Sequence, residues 1–466
     1  MGAVAPAVPD RFLTEVTNVL QPGGVVIDPE LTTSYATDWT GRYRGQPGAV
    51  LRPGGTLEVA AVVDAARRHG VALVAQGGNT GLVGGATPCD GEVVVDLRRL
   101  AAITDVDPLG GQLTACAGAT IAAVQAAAKE AGWAYGVDWG ARDSATVGGS
   151  VATDAGGLRF VRHGGTRRQL LGCEAVLGTG EVIAHLPAVE KDNTGFDLGG
   201  LLCGSEGTLG MVTAARLRLV PPSGAAATAL VGFASLAAAV DAASLLRRAV
   251  GGLEAVELMV EAGIDLVREA TGLPAPLGVP APVVLLVELS APLGSRDVLV
   301  EEVLVDVVSG LTGVVDAAVA TDGPRRARLW RYREDHTEAI GRLGPPHKLD
   351  VTLPAGELAG FVGAAPALVA SVVPEARTWC FGHAADGNVH VNVTGVAADD
   401  DRVDEAVLTA VADLGGSISA EHGIGRAKRQ WLHLARGPAD VAAMRAIKAA
   451  LDPAGICNPA VLFPPE

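Results

Sequence analysis

Three of the chain's nine histidines stand in two short motifs, Gly382-His383-Ala384-Ala385-Asp386-Gly387-Asn388-Val389-His390-Val391-Asn392 and Ser419-Ala420-Glu421-His422-Gly423. Asp-Gly is a preferred two-residue hairpin turn. A ladder closed by Asp386-Gly387 predicts that His383 and His390 face each other across two strands, with Cβ atoms about 5 Å apart. Asn392 would project from the same face. Two opposed imidazoles can close on one divalent metal, zinc among them, with Glu421 as third ligand and one position left open for substrate, as in catalytic sites. The same spacing also fits a chance cross-strand pair on a solvated hairpin. Upstream, Arg333 and Thr337 lie four apart, one helical turn on the same side, and Lys348 follows in His347-Lys348-Leu349-Asp350-Val351. The cluster Arg325, Arg326 and Arg328 reads as a solvated helix face.

A second kind of chemistry is written in glycine. The run Gln76-Gly77-Gly78-Asn79-Thr80-Gly81-Leu82-Val83-Gly84-Gly85 follows the apolar stretch Val71-Ala72-Leu73-Val74-Ala75. A strand that ends in bare backbone amides forms an anion nest suited to phosphate. The run has neither the G-x-G-x-x-G register with an acidic residue beyond nor the GK[ST] of a P-loop, and taken alone it fits a structural turn equally well. Two further tracts of small residues, Asp138 to Gly157 and Lys191-Asp192-Asn193-Thr194-Gly195-Phe196-Asp197-Leu198 leading into Gly204-Ser205-Glu206-Gly207-Thr208-Leu209-Gly210, let backbone approach a large planar ligand closely.

The stretches GGNTGLVGG, TVGGSVATDAGGLRF, KDNTGFDL and GSEGTLG resemble the FAD-binding domain of the vanillyl-alcohol oxidase superfamily, in its branch of FAD-linked D-2-hydroxy acid dehydrogenases. The resemblance runs over about residues 45 to 463. It implies an α+β fold: a PCMH-type FAD-binding domain of two α/β subdomains over 1–221, an α+β substrate-binding cap domain with an antiparallel sheet over 222–425, and a C-terminal helical segment over 426–466 packing back on the first. It places Gln76, Gly77, Gly78, Asn79, Thr80, Gly81 and Leu82 at the FAD pyrophosphate. Ser144, Thr146, Gly149, Ala152, Thr153 and Gly156 would line the flavin, Val212 would touch the dinucleotide, and Asn458 in Leu451-Asp452-Pro453-Ala454-Gly455-Ile456-Cys457-Asn458-Pro459 would reach the ring. Asn79 stands where covalent relatives carry histidine, so FAD is expected to be non-covalent.

The same resemblance assigns His383, His390 and Glu421 to a divalent metal such as zinc, and His422 to the flavin side as general base. Arg333, Thr337, Lys348 and Asn392 would surround the substrate carboxylates. An Arg fork plus a Lys suits a diacid better than a monoacid, so the implied reaction is hydride transfer from a D-2-hydroxy acid, D-2-hydroxyglutarate first, to flavin N5. D-lactate or glycolate oxidation is the alternative within the family; a non-redox ether-lipid synthase and a non-catalytic flavin subunit are further rivals, opposed by the intact histidine set. Ala385 departs from the family, where glycine is usual. The implied acceptor is a quinone, an electron-transfer flavoprotein or another carrier, and relatives are often homodimers.

These residues need elements to hold them. Alternating and β-branched runs predict strands at Val71–Ala75, Val93–Asp96, Gln112–Ala115, Cys173–Leu177, Glu181–Ala184 and Met211–Leu217, with helices at Thr56–His69 and Ile121–Ala131. After Pro221-Pro222, strands at Thr228–Phe233, Val283–Leu289 and Ala317–Ala320 predict another sheet, and a helical tail runs from Lys428 to Leu451. The 466 residues correspond to two or three domains at ~150 residues each. Thirty-six basic against 52 acidic residues leave a net charge of −16, which argues against nucleic acid or anionic lipid as main partner. Mean hydropathy is +0.32, yet the uncharged run from Leu219 to Val240 opens with Pro-Pro-Ser-Gly and is rich in alanine, reading as strand plus helix and not as a membrane span. The opening residues lack a basic, apolar leader, and six scattered cysteines suit reduced thiols; together they predict a cytoplasmic protein. Sixty-one glycines are about twice the ordinary ~7%, and much of the excess sits in the three tracts.

Overall fold

The computed structural model describes residues 8–295 and 299–464. Residues 1–7, on which the expectation of a missing leader mainly rests, lie outside the described residues. The chain divides into one unit of Met1–Gly157, Gly164–Val220 and Glu421–Glu466 and a second of Leu158–His163 and Pro221–Ala420. The short segment 158–163 thus belongs to the second unit, and the returning tail starts at Glu421, ahead of the expected residue 426.

In the first unit β1 (Val25–Val26), β2 (Val50–Leu51), β3 (Leu73–Gln76) and β4 (Val93–Asp96) form a sheet in the order β1-β2-β4-β3, parallel from β2 onward. Leu73, Val74, Val93, Val94 and Val95 are all buried, because parallel strands covered on both faces are apolar throughout. The helix Thr56–His69 links β2 to β3 and lays Val59, Val62, Val63 and Ala66 into a core with Phe12, Val16 and Ile456. It stops at Gly70, whose φ of 64° is a left-handed cap that only glycine adopts without strain. A second sheet of β5 (Ile103–Asp107), β6 (Gln112–Cys116), β7 (Leu170–Leu177), β8 (Val182–His185) and β9 (Gly210–Arg218) is antiparallel throughout, in the order β5-β6-β9-β7-β8.

The tail departs from the expected single helix. Arg436 is extended and Pro438, which lacks an amide hydrogen, opens a new helix, so the segment is Leu432–Ala435 and then Pro438–Leu451. Beyond it the chain runs along β3: Leu73 donates to the Ile456 carbonyl and Asn458 to that of Leu73, both at 2.8 Å.

The second unit is built on β10 (Ser223–Phe233), β11 (Leu253–Val260), β12 (Val283–Pro292), β13 (Val314–Ala320), β14 (His347–Thr352), β15 (Arg377–His383) and β16 (Asn388–Thr394), all antiparallel, in the order β13-β10-β12-β11-β15-β16-β14. The uncharged run from Leu219 is β10 followed by the helix Leu236–Ala249, capped by Ser235. Register decides which side chains share a face. Glu257 pairs with His383, Phe381 with His390 and His390 with Asp350, and Trp379 with Asn392 and Asn392 with Lys348. Glu257, His383, His390, Asp350, Asn392 and Lys348 therefore lie on one face, next to the apolar patch of Met259, Leu286 and Leu230 under Trp330 and Tyr332. Among the described residues one helix, Ala355–Val372, is long and apolar enough to cross a membrane; Leu358, Phe361, Val362, Ala365 and Val369 along it are buried.

The hairpin corrects the expected register. His383 pairs with Asn388, not with His390, and the loop has four residues, Ala384 to Gly387. Ala384 donates to the Val256 carbonyl on β11 at 2.8 Å and the Ala385 carbonyl accepts from Arg247 at 2.9 Å, so both are tied outside the hairpin ladder. A shift of two residues keeps every side chain on its face. The histidines are consequently diagonal neighbours, with ring centroids 5.4 Å apart at 81°.

Candidate active site

Each histidine of the pair has a carboxylate behind it. His383 Nδ1 lies 2.7 Å from Glu257 Oε1 and His390 Nδ1 3.2 Å from Asp350 Oδ1. Carboxylate oxygens only accept, so the hydrogen-bond network assigns a proton to Nδ1 in both rings and points Nδ1 away from any ligand role. Burial, against the pull of Asp350, pushes His390 down to about 4, which keeps it neutral and able to ligate near pH 7. Glu257 and Asp350 are 1% and 0% exposed. Burial would raise Glu257, but the charges of His383 and Arg333 overcome it and hold the carboxyl below its usual range. Two imidazoles oriented by buried carboxylates form a donor set that fits a divalent cation.

Two cations share this face. Arg333, buried near the end of the helix Gly323–Glu334, donates from Nε to Glu257 Oε2 at 2.7 Å and stacks 4.6 Å above Phe381. Among the described residues no other acceptor meets its guanidinium. Thr337 is half-buried in the next helix, His336–Gly341, past a break at Asp335 that stays right-handed. Lys348 Nζ donates to Asn392 Oδ1 at 3.2 Å, and burial lowers it to about 8. Asn388 braces Asp350 at 2.8 Å.

In the first unit the loop after β3 packs on the second glycine tract. A Cβ at Gly77 would lie 2.1 Å from Thr146 Oγ1, and one at Gly78 1.8 Å from the Ser144 carbonyl oxygen, so Gly77 makes room for the Thr146 side chain and Gly78 for the Ser144 backbone. Gly81 meets nothing within 4 Å, and Gly149 only Thr146 Oγ1 at 3.6 Å. Among the described residues the amides from Gly77 to Val83 donate to no protein acceptor, a row of donors that fits an anion. Gln76 ties the loop's ends by donating to the Tyr35 and Ala86 carbonyls, and Asn79, at φ 52°, donates to the Thr37 carbonyl at 2.9 Å. Thr80, Leu82 and Ala152 are half-buried, Ser144 is exposed, and Thr153 bonds back to the Gly149 carbonyl. Val212, on β9, is buried in the core. Asn458 donates to the Gly85 and Glu206 carbonyls at 2.8 Å each, while its Oδ1 is buried without a partner, an acceptor that fits a ligand donor.

Glu421 and His422 belong to this first unit, whereas His383 and His390 belong to the second. Glu421 Oε1 accepts from the Gly157 amide at 2.8 Å, and a Cβ on Gly156 would come within 2.2 Å of that oxygen; Gly156 is needed for the carboxylate. The turn after His422 is clamped by Glu206, whose two oxygens accept from the Ile424 and Gly425 amides at 2.8 and 2.7 Å. Burial pushes the Glu206 carboxyl up despite these donors. Glu206, Glu257 and Asp350 escaped the sequence reading as site residues. Glu206 stands inside the GSEGTLG tract and Asp350 one alternation from Lys348, so both carried a signal; Glu257 carried none.

The FAD binding domain family matches residues 47–185, and the C-terminal domain of FAD linked oxidases matches residues 223–462. The D-2-hydroxyglutarate dehydrogenase of Xanthomonas citri pv. viticola is 37% identical over 94% of this chain and 93% of its own length. The mitochondrial D-2-hydroxyglutarate dehydrogenase of Bos taurus is 36% identical over 95% of this chain and 82% of its own. Among solved structures, p-cresol methylhydroxylase with substrate bound superposes with a TM-score of 0.77 at 17% identity, covering 98% of both chains. The 4-ethylphenol oxidase of Gulosibacter chungangensis does so at 0.77 and 18%, covering 99% of both. At such identities the likeness is one of fold, here the PCMH-type FAD-binding fold with mixed helices and sheets.

Proposed function

The chain belongs to the FAD-linked D-2-hydroxy acid dehydrogenases and is an FAD-dependent oxidoreductase acting on a hydroxy acid, and from that premise we propose that it oxidises D-2-hydroxyglutarate to the 2-oxo acid with help from a divalent metal. One observation carries the reading: Arg333, from the helix Gly323–Glu334, and Lys348, on β14, both meet the sheet face that carries the carboxylate-backed histidines, two cations where a monoacid would need one. When bound, FAD supplies a hydride acceptor at N5, and the metal supplies Lewis acidity toward the 2-hydroxyl. His383, His390 and Glu421 would hold the metal. The guanidinium edge of Arg333 and the Lys348 ammonium bind the two carboxylates, with Thr337 and Asn392 adding hydrogen bonds, and so present C2 in one orientation. His422 accepts the hydroxyl proton as the C2–H bond breaks. The non-covalent FAD is held at the Gly77–Val83 amides and by Asn458.

Anaerobic titration tests this. D-2-hydroxyglutarate should bleach the flavin absorbance, its L-enantiomer should not, and prior chelation should abolish the bleaching. Faster reduction by D-lactate would replace the diacid reading. A pH dependence follows from Lys348: with its value lowered to about 8 by burial, the ammonium is present below that pH and lost above it. KM for the diacid should therefore rise as pH passes about 8. In Lys348→Met, KM should be high already at pH 7 and flat across that window, as steady-state assays at saturating acceptor would read.

A further inference from the structure

Glu257 touches both halves of the second unit's site. Its Oε1 faces His383 Nδ1 and its Oε2 faces Arg333 Nε, each at 2.7 Å, and the side chain is 1% exposed. Arginine has only donors. A carboxylate is thus the group that can satisfy both neighbours at once while keeping the His383 proton on Nδ1. We propose that Glu257 is a positioning residue that holds His383 in its metal-ligating tautomer and Arg333 in its anion-binding pose through one shared carboxylate. The inference rests on the metal reading above and adds to it a residue from a strand distant in sequence.

The amide isostere makes the consequence specific. In Glu257→Gln the carbonyl oxygen must turn to Arg333, since two donors cannot face each other. The amide NH2 then faces His383, which can meet it only by accepting at Nδ1. The proton moves to Nε2 and the ligating lone pair is lost. Removing the arginine reverses this: in Glu257→Gln/Arg333→Met the amide is free to rotate, present its oxygen to Nδ1–H and return Nε2 to the metal.

The test uses the full-length FAD-loaded protein, with folding verified by flavin content and thermal melting. Zinc affinity, measured by competition with a chelating dye, should fall by roughly 10- to 100-fold in Glu257→Gln, stay close to wild type in Arg333→Met, and recover in the double variant to near that of Arg333→Met. Long-range 15N–1H correlation spectra of the metal-free protein, with His383 assigned by its loss in His383→Gln, should show Nδ1–H in wild type and Nε2–H in Glu257→Gln. Unchanged zinc affinity and tautomer in Glu257→Gln, or equal zinc losses in the single and double variants, would overturn the role of Glu257. A wild-type protein that takes up no zinc while the tautomer still switches would overturn the metal reading and leave the positioning of His383 supported.

Discussion

Replacing His422 by alanine is expected to slow flavin reduction by ~10²–10⁴-fold while FAD stays bound, the range by which a positioned general base accelerates proton removal. The substitution should leave the fold intact because the turn is fixed from outside the side chain. Glu206 accepts from the Ile424 and Gly425 amides, and Glu421 from Gly157, whether or not an imidazole stands between them. The measurement is single-turnover reduction under anaerobic conditions, followed in stopped flow across pH. The variant should regain part of its rate with added imidazole. A wild-type reduction rate with a full complement of FAD would remove His422 from the chemistry.

Arg333→Met should cost ~2–5 kcal/mol in kcat/KM, the penalty for truncating one partner of a buried charged pair, which amounts to roughly 30- to 4000-fold. A carboxylate contact exists in ground state and transition state alike, so the loss should appear mainly in KM. Lysine should not restore it. Glu257 and Phe381 use the guanidinium's Nε and its flat face, and an ammonium offers neither. The effect should depend on the substrate. If Arg333 holds the distal carboxylate, D-2-hydroxyglutarate suffers the full loss and D-lactate little; equal losses for both would move Arg333 to the C1 carboxylate, and an unchanged KM for both would exclude it from the binding site. Melting temperature should also fall, since the buried Glu257 keeps His383 but loses its permanent cation.

Much of the first unit was legible because its signals are local. The helix Thr56–His69 and β4 (Val93–Asp96) appear with their expected bounds, since apolar spacing and a terminal glycine are properties of adjacent residues. The glycine tracts were legible too, but their meaning split in the structure. Gly77, Gly78 and Gly156 are small because neighbouring groups lie against them, while Gly81 faces open space and Gly149 meets only Thr146 Oγ1, at an ordinary 3.6 Å. Composition cannot separate these cases, because both demand the same missing side chain. The tail helix was overextended because apolar periodicity continues across Arg436-Gly437-Pro438, where a local breaker outweighs it.

By itself the sequence determined that His383 and His390 share a face, because strand side chains alternate with period two and any even shift of register preserves that parity. It also determined which residue types, imidazoles, guanidinium, ammonium and bare amides, were available for chemistry. Only the tertiary structure decided that His383 pairs with Asn388, through bonds from Ala384 to β11 and from Arg247 to Ala385. It alone placed Glu257, 126 residues from His383 and 76 from Arg333, between the two. Such pairings depend on which strands become neighbours in a sheet, a choice made by burial of whole faces and carrying no mark in the few residues on either side.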